Sequence, residues 1–190
     1  MQYTRMRKNF GFLSRSKTPV SIATLSELRT GTGLAPIVEM MRAGIDISHS
    51  IDTMVASDNS DMFALLRTTM IMQRGRLEDP TIYTPEQVLK QRTMGGARAL
   101  GLDKVTGSIT PGKKADIILI RTDDLNMAPM NVPDGQVVLA AQPRNVDSVW
   151  IDGRLRKQRG ALVNFDVRQL VAAATEAVQG LAQRIGEPVI

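Results

Sequence analysis

Gly95-Gly96-Ala97-Arg98-Ala99-Leu100-Gly101-Leu102 and, shortly after it, Gly107-Ser108-Ile109-Thr110-Pro111-Gly112-Lys113-Lys114-Ala115-Asp116 divide this chain into two parts of different character. Ala97 and Leu100 continue a helical stripe begun by Val88, Leu89 and Met94, and Gly101 closes it. The second stretch is rich in turn residues and runs into Ala115-Asp116-Ile117-Ile118-Leu119-Ile120, which reads as a strand. Helical patterning therefore gives way to β patterning near residue 104.

Downstream, Val137 to Ala141 and Val146 to Ile151 read as two more strands. Asp152-Gly153 is a tight-turn signal leading into Arg154-Leu155-Arg156-Lys157. From Asp166 to Ile185 a helix is expected, with Asp166 as its N-cap. Val167, Leu170, Val171, Ala174, Val178 and Leu181 form one stripe along it.

Upstream, residues 1–18 are polar and basic without clear periodicity. Pro19-Val20-Ser21-Ile22-Ala23 reads as a short buried strand, and Thr24 to Gly33 as a loop punctuated by Gly31 and Gly33. Ala35 to Ala43 reads as a helix with Pro36 in its first turn, ended by Gly44. Ile45 to Ile51 alternates and reads as a second strand. Strand, helix, strand is a βαβ unit, which calls for parallel pairing. After a polar loop at Ala56 to Ser60, a helix runs from Asp61 to about Arg76 with Met62, Leu65, Leu66, Thr69 and Met70 on its apolar face. Thr84-Pro85-Glu86-Gln87 opens the next helix: N-cap, proline at the first helical position, and the glutamine of a capping box.

Composition narrows the class. The 190 residues are 43% hydrophobic and 23% charged, as in globular proteins. The net charge of +5 is spread along the chain, dense only at Arg5, Arg7, Lys8 and at Arg154, Arg156, Lys157, Arg159. With 4% aromatics there is no platform for stacking bases, so nucleic acid is not an expected partner. The absence of cysteine excludes disulfides, thiolate metal sites and a thiol nucleophile. No apolar run approaches the ~20 residues of a membrane span, no signal-peptide pattern is present, and a cytoplasmic location is expected.

The segments at 95–102 and 107–116, together with Val146-Asp147-Ser148-Val149-Trp150-Ile151-Asp152-Gly153, resemble the C-terminal signature of the amidohydrolase superfamily. Upstream, Val20-Ser21-Ile22-Ala23, Ser26-Glu27-Leu28, Gly31-Thr32-Gly33, Ser50-Ile51-Asp52 and Asp61-Met62-Phe63 are similar to its cytosine-deaminase and chlorohydrolase branch. The resemblance covers about residues 18–183. It implies an α/β fold: the C-terminal part of a metal-dependent-hydrolase (β/α)8 TIM barrel, comprising strands seven and eight with the helices that follow, plus part of a small β-sandwich. On that basis residues 1–103 are a partial barrel, 104–165 a segment of the composite sandwich, and 166–190 a C-terminal helix.

The resemblance also implies chemistry. Family members use a divalent metal, zinc or iron, to lower the pKa of bound water, and the hydroxide displaces ammonia or chloride from a heterocycle. Asp52 matches the aspartate that ends strand eight, a metal ligand able to shuttle a proton. The plainer reading of Asp52 is a turn-capping aspartate. Glu27, in the loop after strand seven, is a candidate contact to a substrate amino group, or else a solvated loop acid. Active sites lie at the C-terminal ends of barrel strands, so both would open onto one rim. The histidine ligands of the family are missing. His49 alternates away from Ser48, Ser50 and Asp52, which puts it under the helices.

Thr32 and Thr24 depart from the histidine and proline that relatives often carry. Asp58, Asn59 and Asp61 read as caps for the following helix, Gly112-Lys113-Lys114 as a turn, and the methionines of 62–72 as core. The expected function is hydrolysis of non-peptide carbon–nitrogen bonds, a deamination of a nucleobase-like or triazine-like ring. The chain alone is expected to be inactive and to hold no metal stably. The alternative is a non-catalytic module, or half of a split enzyme, that self-associates or pairs with an N-terminal half through exposed barrel strands.

Overall fold

The computed structural model describes the backbone of residues 2–186 and the side chains of residues 9–186. The side chains of Arg5, Arg7 and Lys8 lie outside the described residues. The elements run α1 (Gln2–Ser16), β1 (Val20–Ile22), α2 (Thr24–Arg29), α3 (Ile37–Arg42), β2 (Ile47–His49), α4 (Met54–Ser57), α5 (Met62–Leu77) and α6 (Pro85–Lys90). A π-helical turn, Gln91–Gly95, links α6 to α7 (Gly96–Ala99). Then follow β3 (Ile117–Ile120), α8 (Pro133–Leu139), β4 (Val146–Ile151), β5 (Arg154–Gln158), β6 (Ala161–Leu162) and α9 (Val167–Ile185).

β1 and β2 pair in parallel, with Val20, Ser21 and Ile22 opposite Ile47, Ser48 and His49. The ladder extends past the strand ends, since Ser50 N donates to Ile22 O at 2.9 Å. Parallel neighbours need a crossover, and α2 and α3 supply it. The helices bury an apolar core against this pair: Ile37, Leu65, Met70 and Val88 are wholly buried, each contributing about 1.5–3 kcal/mol by leaving water. Arg76 of α5 grips Glu39 of α3 through two bonds of 2.7 and 2.6 Å, which fixes the two helices in register. The second sheet is antiparallel, in the order β3-β4-β5-β6. Asp152 and Gly153 both have positive φ, 52° and 73°, as a two-residue hairpin turn between β4 and β5 requires.

Helix starts follow the side-chain chemistry of their caps. Asp61 accepts from the amides of Phe63 and Ala64. Asp166 accepts from Gln169. Thr84 and Gln87 form a reciprocal capping box, the threonine oxygen accepting from Gln87 N at 3.3 Å and the glutamine oxygen from Thr84 N at 2.9 Å. Thr84→Ala removes one of these acceptors, and chemical denaturation is expected to show a loss of about 1 kcal/mol. An unchanged midpoint would mean that Pro85 alone sets the start of α6.

Four expectations from the sequence are corrected. Residues 1–18 are not irregular: α1 occupies most of them, with Phe10 and Leu13 packed against the core. The 24–33 stretch begins with α2, whose Thr24 and Ser26 are buried and whose Glu27 turns back to accept from Ala23 N at 3.2 Å. Its burial is polar, so the apolar period was silent there. The strand expected at 137–141 is instead the end of α8. Pro133 at its first turn and Asp134 beside it start a helix, and Val138 is driven wholly into the core. Pro36 sits at the N-cap of α3 and not within its first turn. Among the described residues no helix is long and apolar enough to cross a membrane.

Candidate functional site

Because β1 and β2 run in parallel, the segments that leave their C-terminal ends emerge on the same side. Asp52 lies on the segment leaving β2. Its φ of 66° is the left-handed conformation, which costs a non-glycine residue on the order of 1 kcal/mol or more. Asp52 is exposed, and its Oδ2 accepts a 2.8 Å bond from Ser26 Oγ. Ser26 is 5% exposed, so the donor is held by packing and the carboxylate is oriented from below. Thr53, next in sequence, caps α4 by accepting from Ala56 N at 3.3 Å.

α2 is the element that builds this rim. Ser26 faces Asp52. One turn on, Arg29 ion-pairs with Asp58 and donates to Val55 O at 3.2 Å. Both contacts tie the segment after β1 to the segment after β2. The adjacent Glu27 carries the other carboxylate singled out from sequence. It borders a cavity of about 640 Å³ also lined by Phe10, Leu13, Val20, Leu34 and Met40. One Glu27 oxygen accepts from Ala23 N, and the other is buried without a hydrogen-bond partner. Burial pushes the Glu27 carboxyl above its usual range, against the lowering effect of the nearby backbone amides of Ala23 and Ala35. Of the two residues singled out from sequence, then, Asp52 is gripped by Ser26 and Glu27 faces the cavity. Ser26 itself was overlooked, because a short hydroxyl gives no periodic signal; its place next to Glu27 after a strand end was the only cue.

His49 is away from this rim. It is 3% exposed, and its Nε2 lies 2.8 Å from Tyr83 Oη and 3.0 Å from Gln91 Oε1, beneath α6 and the π-helical turn. The alternation argument thus agrees with its position. Asp61 and Asn59 are taken up in capping, and Asp58 in its ion pair with Arg29. Among the described residues no group of three or more His, Cys, Asp or Glu side chains is arranged to hold a metal ion. A tetrahedral zinc site needs three protein ligands or more. The residues described here bring no such set together and by themselves do not fit a metal.

The amidohydrolase family matches residues 4–156. The chain belongs to the amidohydrolase family. Among relatives, the 5-methylthioadenosine/S-adenosylhomocysteine deaminase of Moorella thermoacetica is 33% identical over 169 residues, 89% of this chain and 40% of that protein. The 5'-deoxyadenosine deaminase of Methanothermobacter thermautotrophicus is 31% identical over 89% of this chain and 39% of its own length. The chain thus spans about two fifths of the length of these amidohydrolases. Among solved structures, a zinc-bound adenosine deaminase from Xanthomonas campestris superposes with a TM-score of 0.87 at 28% identity, over 90% of this chain and 39% of that one. The zinc-bound atrazine chlorohydrolase of Arthrobacter aurescens shares the fold, with a TM-score of 0.81 at 23% identity over 90% of this chain and 38% of that one. The chain therefore has a mixed α/β fold like that of part of the amidohydrolase TIM-barrel proteins.

Proposed function

We propose that these 190 residues are the C-terminal part of a metal-dependent amidohydrolase that deaminates a nucleobase-like heterocycle. In this reading β1 and β2 are strands seven and eight of the barrel. Residues 1–103 belong to the barrel, 104–165 to the composite sandwich and 166–190 to a terminal helix; the separation of the two sheets supports that division. The observation that carries the reading is Asp52, set just beyond a parallel strand pair and oriented by a buried serine. Asp52 would be a ligand to zinc or iron, and Glu27 would meet an amino group of the substrate. Deaminases of adenosine derivatives among the relatives favour an adenine-like ring.

Among the described residues this reading finds one ligand, so the chain alone is expected neither to retain a metal nor to hydrolyse the substrate. Purified chain incubated with zinc and 5'-deoxyadenosine is expected to release no ammonia. Co-expression with a polypeptide that supplies the remaining barrel strands and their histidines is expected to yield ammonia release, lost again in Asp52→Asn. Zinc-dependent turnover by the 190 residues alone, or full activity of Asp52→Asn in the assembled protein, would sink the proposal.

A second reading has one observation in its favour. Among the described residues β1 has a single strand neighbour, and its other side borders the apolar cavity. On this reading the chain is a non-catalytic module, or half of a split enzyme, that joins another polypeptide along that edge. Failure of the co-expressed strands to associate with the chain would favour the independent module.

A further inference from the structure

The backbone of β1 says which way its open edge faces. Val20 N donates to Asp46 O and Ile22 O accepts from Ser50 N, both at 2.9 Å, so these two residues bond toward β2. Successive residues of a strand turn their N–H and C=O to opposite sides, so those of Ser21, between them, point away from β2. Among the described residues no strand pairs with that side. An unpaired edge is a template for another extended chain. All three residues of β1 also line the cavity of about 640 Å³ whose wall includes Phe10, Leu13 and Met40. The edge therefore offers backbone partners together with room for apolar side chains, the two things that strand addition uses.

Both ends of this edge are restricted. Pro19, before β1, has no N–H to give. Ala23, after it, faces the same side as Ser21 by the same alternation, and its N–H is taken by Glu27 Oε1 at 3.2 Å. The Glu27 carboxyl thus closes the edge at its C-terminal end. Its second oxygen, Oε2, is buried and has no hydrogen-bond partner. A buried acceptor without a donor is costly, and a carboxylate in apolar surroundings is compensated best by an opposite charge. A strand added here without a donor would keep water from Oε2 and give nothing back. We propose that Glu27 selects the strand that joins β1: an extended segment carrying Lys or Arg two residues along from the one opposite Ser21, its cation on Glu27 Oε2. This rests on the second reading above, in which another polypeptide joins the β1 edge, and adds what that polypeptide must carry.

The probe is a dye-labelled octapeptide of alternating threonine and valine with a single lysine, beside versions with glutamine or glutamate in its place. In fluorescence anisotropy the 190-residue chain should bind the lysine peptide about tenfold more tightly than the glutamine one, or better, and the glutamate one not at all. The net charge of +5 acts against this order, so general attraction cannot produce it. Glu27→Gln should lose the preference for lysine and keep the melting temperature of the parent chain. Glu27→Lys should prefer the glutamate peptide. The lysine peptide methylated at every backbone nitrogen should not bind, since Ser21 O then meets no donor. The proposal is overturned if no peptide binds, if all three bind alike, if Glu27→Gln still prefers lysine, or if the methylated peptide binds as well as the parent peptide. Co-expression separates it from the reading beneath it. If the polypeptide that supplies the remaining barrel strands associates equally well with the parent chain and with Glu27→Lys, this proposal fails and the second reading stands. If it associates with neither, both fall.

Discussion

Acidification from pH 7 to pH 4 is expected to destabilise this chain by about 3 kcal/mol through His49 alone. His49 is 3% exposed, and burial, aided by the nearby Arg92 charge, lowers its pKa to about 4 from an ordinary 6.5; the Gln91 bond opposes this only in part. The imidazole is therefore neutral in the folded chain. Below pH 6.5 the unfolded chain takes up a proton that the folded chain refuses, so stability falls with pH between 6.5 and about 4. At 1.36 kcal/mol for each pKa unit, the loss is about 3 kcal/mol.

The geometry explains the refusal. Nε2–H donates to Gln91 Oε1, which also accepts from Tyr83 Oη at 2.6 Å. Nδ1 is buried with no partner, so a proton placed there would have no acceptor. Urea titrations across this range measure the slope. In His49→Leu the Tyr83–Gln91 bond survives and the slope should flatten. Glu27, whose carboxyl titrates upward, contributes equally to both proteins and cancels in the comparison. An equally steep acid loss in His49→Leu would show that the histidine is not its source.

Gly95→Ala is expected to destabilise by about 3 kcal/mol or more, at the upper end of overpacking effects. A Cβ at Gly95 would stand 2.3 Å from Ile47 O and 3.4 Å from its carbonyl carbon. Those are backbone atoms of β2, so no side chain can swing aside. The π-helical turn and β2 can touch only because position 95 lacks a side chain. Gly96 is the control. Its nearest neighbour is the flexible Arg92 guanidinium at 3.7 Å, so Gly96→Ala should stabilise by about 0.5–1 kcal/mol through helix propensity. Thermal melts of the two variants should move in opposite directions; a shared direction would show that the contact with Ile47 is not what limits position 95.

Much of this fold could be read from the chain because its signals are local. Thr84, Asp61 and Asp166 announce helix starts through a side-chain oxygen, and Asp152-Gly153 announces a hairpin through its backbone preference. The βαβ unit followed from the alternation of short apolar runs. What escaped reading depends on tertiary surroundings. α2 buries Thr24 and Ser26, hydroxyls that find partners in Thr69 and Asp52. α8 hides Val137 and Val138 in a helix although valine favours strands. The strand expected at Ile45 to Ile51 is shorter, Ile47–His49, so Asp52 lies three residues beyond its end in the left-handed region; the turning away of His49 was legible. The grip of Ser26 on Asp52 was not, since it joins residues brought together only by the crossover.

Strand pairs in this chain differ in how far apart their partners lie along it. β4 meets β5 across two residues, so that hairpin can close on the order of microseconds. β1 can meet β2 only after residues 23–46 have looped back over them, and distant pairing of this kind is slow because chain entropy is lost before contacts form. During refolding the β4–β5 hairpin that carries Trp150 can thus close while the Asp52 rim is still open.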